Sequence, residues 1–186
     1  MFFEDFEVGR EYETSGRTLT EADIVIFASM TGAVNPLFLD EEYAKRTRFG
    51  GRIAPGLLTL STVLGLIYQL PQGLFLDGFV ALLEARGSFT ASVRAGDTIR
   101  ARVRVSDKRE VSGGRGLVTI SYQAFNQRGE KVSEGDFRIM VTKRPGGASA
   151  APRRRRADSG SVTLSPPPTR ARRSDAARPA TAASPP

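Results

Sequence analysis

From residue 53 to residue 76 the chain carries no charged side chain, and its centre, GLLTLSTVLGLIYQL, is apolar on almost every face when wound as an α-helix. A helix without a polar face cannot lie on a protein surface, so the rest of the fold has to be built around it. The run is long enough to cross a bilayer. Pro55, Gly56, Gly65, Gln69, Pro71, Gln72 and Gly73 interrupt it, however, and no aromatic or basic belt flanks it. These residues favour a helix buried in a soluble core, with no membrane span. Pro55 suits the first helical position, where a missing N–H leaves nothing unsatisfied, and Pro71-Gln72-Gly73 ends the helix.

The material that covers such a helix follows it. The pattern becomes extended, with strands over 80–93, 98–109, 117–126 and 131–142 separated by Ala95-Gly96-Asp97, the glycine-rich 112–116 and Gln127-Arg128-Gly129. In IRARVRVSD, Ile99, Ala101, Val103 and Val105 fall on one face and the arginines on the other. Long strands joined by tight turns predict an antiparallel meander. Upstream, residues 10–18 read as a short strand. Thr20 and Asp23 form a capping-box-like helix start, with Ile24, Phe27 and Ala28 at helical spacing and a stop near Thr31-Gly32. Asp40 reads as the N-cap of a short helix over 41–46, with acids in its first turn and bases in its last. Helices segregated before strands make the fold class α+β, an antiparallel sheet curled around the central apolar helix.

Composition changes sharply near residue 145. Of the 186 residues, those from 146 onward include no aromatic residue, Ile or Met; the segment 145–186 holds eight Arg and two Asp, a charge of +6, and leaves the first 144 residues at +1. We therefore expect one domain over 1–144 and a disordered Arg/Pro/Ala/Ser-rich tail over 145–186. The tail reads as a solvated extension, or as a segment that contacts polyanions nonspecifically through Arg153–Arg156. The chain has no Cys and no His, which excludes disulfides, thiolate nucleophiles, Cys/His zinc sites and His-based proton relays. No carboxylate loop suggests a metal, and no cofactor is implied. The opening residues, MFFEDFEVGREYE, are acidic and lack the basic start of a signal peptide, so a cytoplasmic protein is expected.

Several segments, in order, resemble the MaoC-like family of hotdog-fold dehydratases, which includes the (R)-specific enoyl-CoA hydratases of fatty-acid metabolism. They are FEDFEVGREYETSGRTLTEADIVIFASMTG, NPLFLDEEYAKRTRFGGRIAPGLLTLS, VRAGDTIRARVRV and FNQRGEKVSEG. The resemblance implies a single hotdog domain, with the sheet wrapped around the 56–70 helix and two such units joining their sheets. It also implies reversible addition of water to a trans-2-enoyl thioester, whose oxygen is held by backbone N–H groups at the helix start.

The resemblance also exposes a gap. The family's motif runs Gly-Asp-x-Asn-Pro-x-His-x-Asp, and this chain has Gly32-Ala33-Val34-Asn35-Pro36-Leu37-Phe38-Leu39-Asp40, so Ala33 and Phe38 stand at the positions of the catalytic Asp and His. The family's Ala-His-Gly at the helix start is Ala54-Pro55-Gly56. Asn35, Phe38, Gly56 and Leu57 remain as substrate-binding candidates. Asn35 reads either as a ligand to an amide or carbonyl or as a loop device before proline. Gly56 reads as the mouth of a helix dipole or as a packing glycine. Glu84, in the apolar run VALLEARGSF, is a substitute carboxylate if burial raises its pKa, and otherwise an outward residue paired with Arg86 or Arg94. Asp40 is a weaker substitute, being a helix cap. The leading expectation is an acyl-CoA or acyl-carrier thioester-binding protein, a non-catalytic subunit that forms a homodimer or a heterodimer with a catalytic paralogue. The alternative is an active hydratase/dehydratase or hotdog thioesterase that uses a substitute carboxylate.

Overall fold

The structure is a computed structural model and describes residues 1–146. The disorder and polyanion contacts expected of the tail lie outside the described residues, apart from the turn at Pro145 and Gly146. A 3-10 helix, Phe3–Asp5, leads into β1 (Glu11–Glu13) and β2 (Arg17–Thr18). Four helices follow: α1 (Glu21–Thr31), α2 (Pro36–Leu39), α3 (Glu41–Lys45) and α4 (Gly56–Tyr68). The long strands are β3 (Phe79–Phe89), β4 (Thr98–Val111), β5 (Arg115–Phe125) and β6 (Lys131–Thr142).

The local rules place most of these elements. Thr20 accepts from the Asp23 N–H while the Asp23 carboxylate accepts from the Thr20 N–H, which completes the capping box, and Gly32 closes α1 at φ 71°, the left-handed position glycine takes most readily. The single strand expected over 10–18 is two short ones. Thr14 breaks it: its hydroxyl accepts from the Ala101 N–H at 2.9 Å where a strand would offer a backbone carbonyl.

The sheet is antiparallel in the order β1-β4-β5-β6-β3, with β2 beside β4. This corrects the expected four-strand meander. Strands β4, β5 and β6 do form one, but β3 lies beyond β6, so residues 90–97 cross the end of the sheet. Three strand spacings amount to about 14 Å, well within the roughly 25 Å that eight extended residues can span. The crossover is permitted because Thr90 and Ala91 donate to the Val132 carbonyl and Val93 accepts from the Ala54 N–H, which occupies the backbone off the ladder.

The inward residues of β4 (Ile99, Ala101, Val103, Val105), of β5 (Val118, Ile120, Tyr122, Ala124) and of β6 (Phe137, Ile139, Val141) converge on one face of α4. That face is Leu58, Thr59, Thr62, Val63, Leu66 and Ile67, a stripe at helical spacing. Thr62 stays satisfied there by donating to the Leu58 carbonyl at 2.8 Å. Burying each aliphatic side chain contributes about 1.5–3 kcal/mol. Full enclosure of α4, expected from its composition, is not achieved within one chain: Leu57 is 61% exposed and Tyr68 41%. Among the described residues no helix is long and apolar enough to cross a membrane.

Candidate functional site

The start of α4 is one wall of a cleft of about 380 Å³. Pro55 is the N-cap rather than the first helical residue, and its carbonyl accepts from the N–H groups of Leu58 and Thr59. Among the described residues the N–H groups of Gly56 and Leu57 have no protein partner, as is usual for first-turn amides unless a side chain caps them. The Phe89 ring lies against Gly56 so closely that a Cβ there would fall 2.8 Å from the ring, which only glycine accommodates without displacing it. Leu57 is exposed and does not line the cleft.

Helix α2 supplies the second wall. Asn35 caps it, its Oδ1 accepting from the Leu37 N–H at 2.9 Å, with Pro36 in the first turn. Leu37 and Phe38 then face the cleft, Phe38 also packing on the core. The third wall is Arg48, Phe49, Ile53 and Ala54, and the fourth is the beginning of the crossover, from Phe89 to Val93, with Val132 behind it. None of the lining residues is Asp, Glu, Lys or Tyr, and the only ionisable one is Arg48. Arginine holds its proton across the physiological range. Among the described residues the cleft therefore has donors at the helix start and apolar walls, and no carboxylate, imidazole, amine or phenol.

A polar frame outside the cleft fixes these walls. The Arg94 guanidinium donates to the carbonyls of Phe49 and, at 3.3 Å, of Arg52. Arg52 pairs with Glu21 at 2.5 Å and with Glu41 at 3.3 Å. The Arg52 N–H donates to Glu41 and, with the guanidinium, holds that carboxyl below its ordinary value. Asp97, 4% exposed, ties the crossover to the β5–β6 turn. Its carboxylate accepts from Gln127 Nε2 at 2.8 Å, the Arg94 N–H at 2.9 Å and Arg128 at 3.0 Å. Burial pushes the Asp97 pKa up, but these three donors outweigh it and leave the carboxyl below its ordinary value.

The candidates drawn from sequence are thus distributed unevenly. Phe38 and Gly56 come together in the cleft; Asn35, Leu57, Ala33, Asp40 and Glu84 do not line it. Ala33 is half-buried in the link after α1. Asp40 is exposed and caps α3, accepting from the Tyr43 N–H at 2.9 Å. Glu84, on the edge strand β3, pairs with Arg86 at 2.5 Å and Arg138 at 3.0 Å, so Arg138 takes the place that the sequence offered to Arg94. Arg48, Phe49 and Phe89 were not marked by the sequence, and Arg94 was marked only as a partner for Glu84. The signal for Phe49 and Arg48 was present in the glycine-flanked RFGGR, whereas Phe89 reaches Gly56 only through the strand order. A larger polar depression of about 640 Å³ on the outer face of the sheet, among Arg102, Arg104, Gln123 and Glu134, shares no residue with the cleft.

Comparison with known proteins decides the lineage. A family described as MaoC like domain matches residues 5–127. The chain belongs to the MaoC-like family. It is 32% identical over 150 residues to an (R)-specific enoyl-CoA hydratase of Rhodospirillum rubrum, an alignment covering 77% of this chain and 93% of that protein. It is 37% identical over 110 residues to a 3-hydroxybutyryl-CoA dehydratase of Methylorubrum extorquens, covering 58% of this chain and 65% of the relative. Its fold superposes with a TM-score of 0.66 on a Mycobacterium tuberculosis protein with a double hotdog fold, at 20% identity, over 81% of this chain and 46% of that one. The MaoC-like architecture is a hotdog: the antiparallel sheet on α4 is the unit that the double-hotdog protein carries twice.

Proposed function

We propose that this MaoC-like chain binds an enoyl or acyl thioester in the cleft at the start of α4 and is the non-catalytic subunit of a dehydratase pair. One observation carries the reading: the cleft of a hydratase-family fold is lined without a single carboxylate, imidazole, amine or phenol. Hydration needs a base to activate water and an acid to protonate Cα, and each such group contributes about 10²–10⁴-fold in rate. The unpartnered N–H groups of Gly56 and Leu57 supply polarisation of the thioester oxygen, and the apolar walls supply acyl binding. Those parts bind without turning over. The acid–base pair then comes from a second hotdog unit. Its docking surface is the free edge of β3, where Val80, Leu82 and Leu83 are 44%, 37% and 49% exposed, together with the open stripe of α4.

The test is hydration of crotonyl-CoA and of a longer enoyl-CoA, followed by loss of the enoyl absorbance, with sedimentation of the same sample. The unmodified protein should bind both esters, sediment as a dimer or with its paralogue, and hydrate neither measurably. The double substitution Ala33→Asp with Phe38→His should produce detectable hydration, about 10²-fold above the unmodified protein, and neither change alone should. Robust turnover by the unmodified protein would overturn the non-catalytic reading, and a protein that is monomeric with and without the paralogue would overturn the pairing.

A further inference from the structure

The cleft ends in one cation, and that cation is unused. Arg48 is exposed at the lip, and among the described residues it forms no ion pair and no hydrogen bond. The arginines around it are all engaged. Arg46 donates to the Glu42 carbonyl, Arg52 pairs with Glu21 and Glu41, and Arg94 donates to the carbonyls of Phe49 and Arg52. The segment that carries Arg48 is thus clamped on the far side while its own guanidinium is left open. The Phe49 ring supports that group, with the guanidinium carbon 4.9 Å from the ring centroid. Stacking on an aromatic face leaves the planar fork of donors free at its edges. This is an oxyanion-binding arrangement: a positioned fork, no competing carboxylate, and partial desolvation by an apolar cleft.

The polarity of the cleft says which end of a ligand meets it. The buried floor is Ala54, Thr59, Val93 and Val132, which suits an acyl chain. The lip with Arg48 faces solvent, where the carrier of a thioester has to leave. A pantetheine arm is neutral along its length and ends in phosphate, both on CoA and on a carrier protein. We propose that Arg48 anchors the phosphate at the end of the pantetheine arm, which makes it a binding residue for the carrier rather than for the acyl group. This rests on the thioester reading above and specifies its carrier subsite.

The test measures binding of three crotonyl thioesters to the full-length chain: of CoA, of 4′-phosphopantetheine and of phosphate-free pantetheine. Arg48→Gln is expected to weaken the CoA and phosphopantetheine esters roughly tenfold and to leave the pantetheine ester unchanged. Arg48→Lys should restore part of the loss, because it keeps the charge and forfeits the fork. Affinity of the unmodified protein for the CoA ester should fall as salt rises, and that slope should flatten in Arg48→Gln. A loss confined to the CoA ester would place the contact on the nucleotide phosphates and overturn the assignment to the pantetheine phosphate. Equal weakening of all three esters, or none, would overturn the assignment, the first because Arg48 would then act through the shape of the cleft. If the unmodified protein binds no thioester at all, the thioester reading falls and takes this inference with it; if it binds all three equally, only Arg48 is discharged.

Discussion

The crossover between β3 and β4 has two ends of opposite character. Its first half, from Thr90 to Val93, continues from Phe89 at the end of β3 and lines the cleft with apolar side chains and hydroxyls. Its second half, Arg94 to Asp97, is a polar knot: Asp97 accepts from three partners and Arg94 satisfies two carbonyls. This chain thus has a buried acid within a few residues of the cleft, and that acid is spent on structure. Burial and a lowered pKa together do not make a catalytic group when both carboxylate oxygens are directed at neighbours that hold the fold.

The contrast can be broken at its polar end. Asp97→Ala removes three hydrogen bonds to a buried carboxylate and should lower stability by about 2 kcal/mol, read as a shift in the denaturant midpoint. The same carboxyl sets a pH dependence. Its folded pKa lies below the ordinary value of 3.8, so its contribution is complete above that value and is lost as pH falls through the folded pKa. Unmodified protein should therefore lose more stability than Asp97→Asn between pH 5 and pH 2 (roughly the window in which a depressed aspartate titrates). Parallel pH curves for the two proteins would show that the knot does not depend on charge.

Arg94 joins the two ends and sharpens the comparison. Arg94→Met keeps much of the stem and removes both donations to the loop, so stability should fall by about 1–1.5 kcal/mol. Thioester affinity should fall with it, because Arg48 and Phe49 lose their clamp. Unchanged affinity in a destabilised variant would separate the frame from the cleft. The smallest effect is expected at Glu84→Gln, which breaks two partly exposed ion pairs on an edge strand: at most about 0.5 kcal/mol, and no change in hydration by the Ala33→Asp, Phe38→His protein. Loss of that hydration would make Glu84 part of the chemistry.

What the sequence disclosed follows the range of the forces involved. The caps at Thr20 and Asp40, the stop at Gly32 and the inward row of β4 are settled within a few residues and were legible. Pro55 was displaced by one position, because proline is accommodated both at the cap and in the first turn. The place of β3 was not legible, since alternation says which face a strand buries and nothing about which neighbour it pairs with. The cleft shares that limit: Phe38 and Gly56 could be found from motif positions, but Phe89 comes from the end of β3 and Arg48 gains meaning only once Arg46, Arg52 and Arg94 are seen to be occupied.

The position of β3 has a consequence during synthesis. Val111 on β4 pairs with Arg115 on β5 across a short turn, whereas Phe79 on β3 pairs with Val141 on β6. A ribosome that adds residues at about 5–20 per second completes β3 roughly 3–10 s before the last residue of its partner exists. Through that interval the nascent strand carries unmatched ladder groups and the apolar Val80, Leu82 and Leu83 with nothing to close onto. The step that seals the sheet joins segments far apart in the chain, which makes it slow. It is during translation, more than in the finished protein, that this edge invites the wrong neighbour.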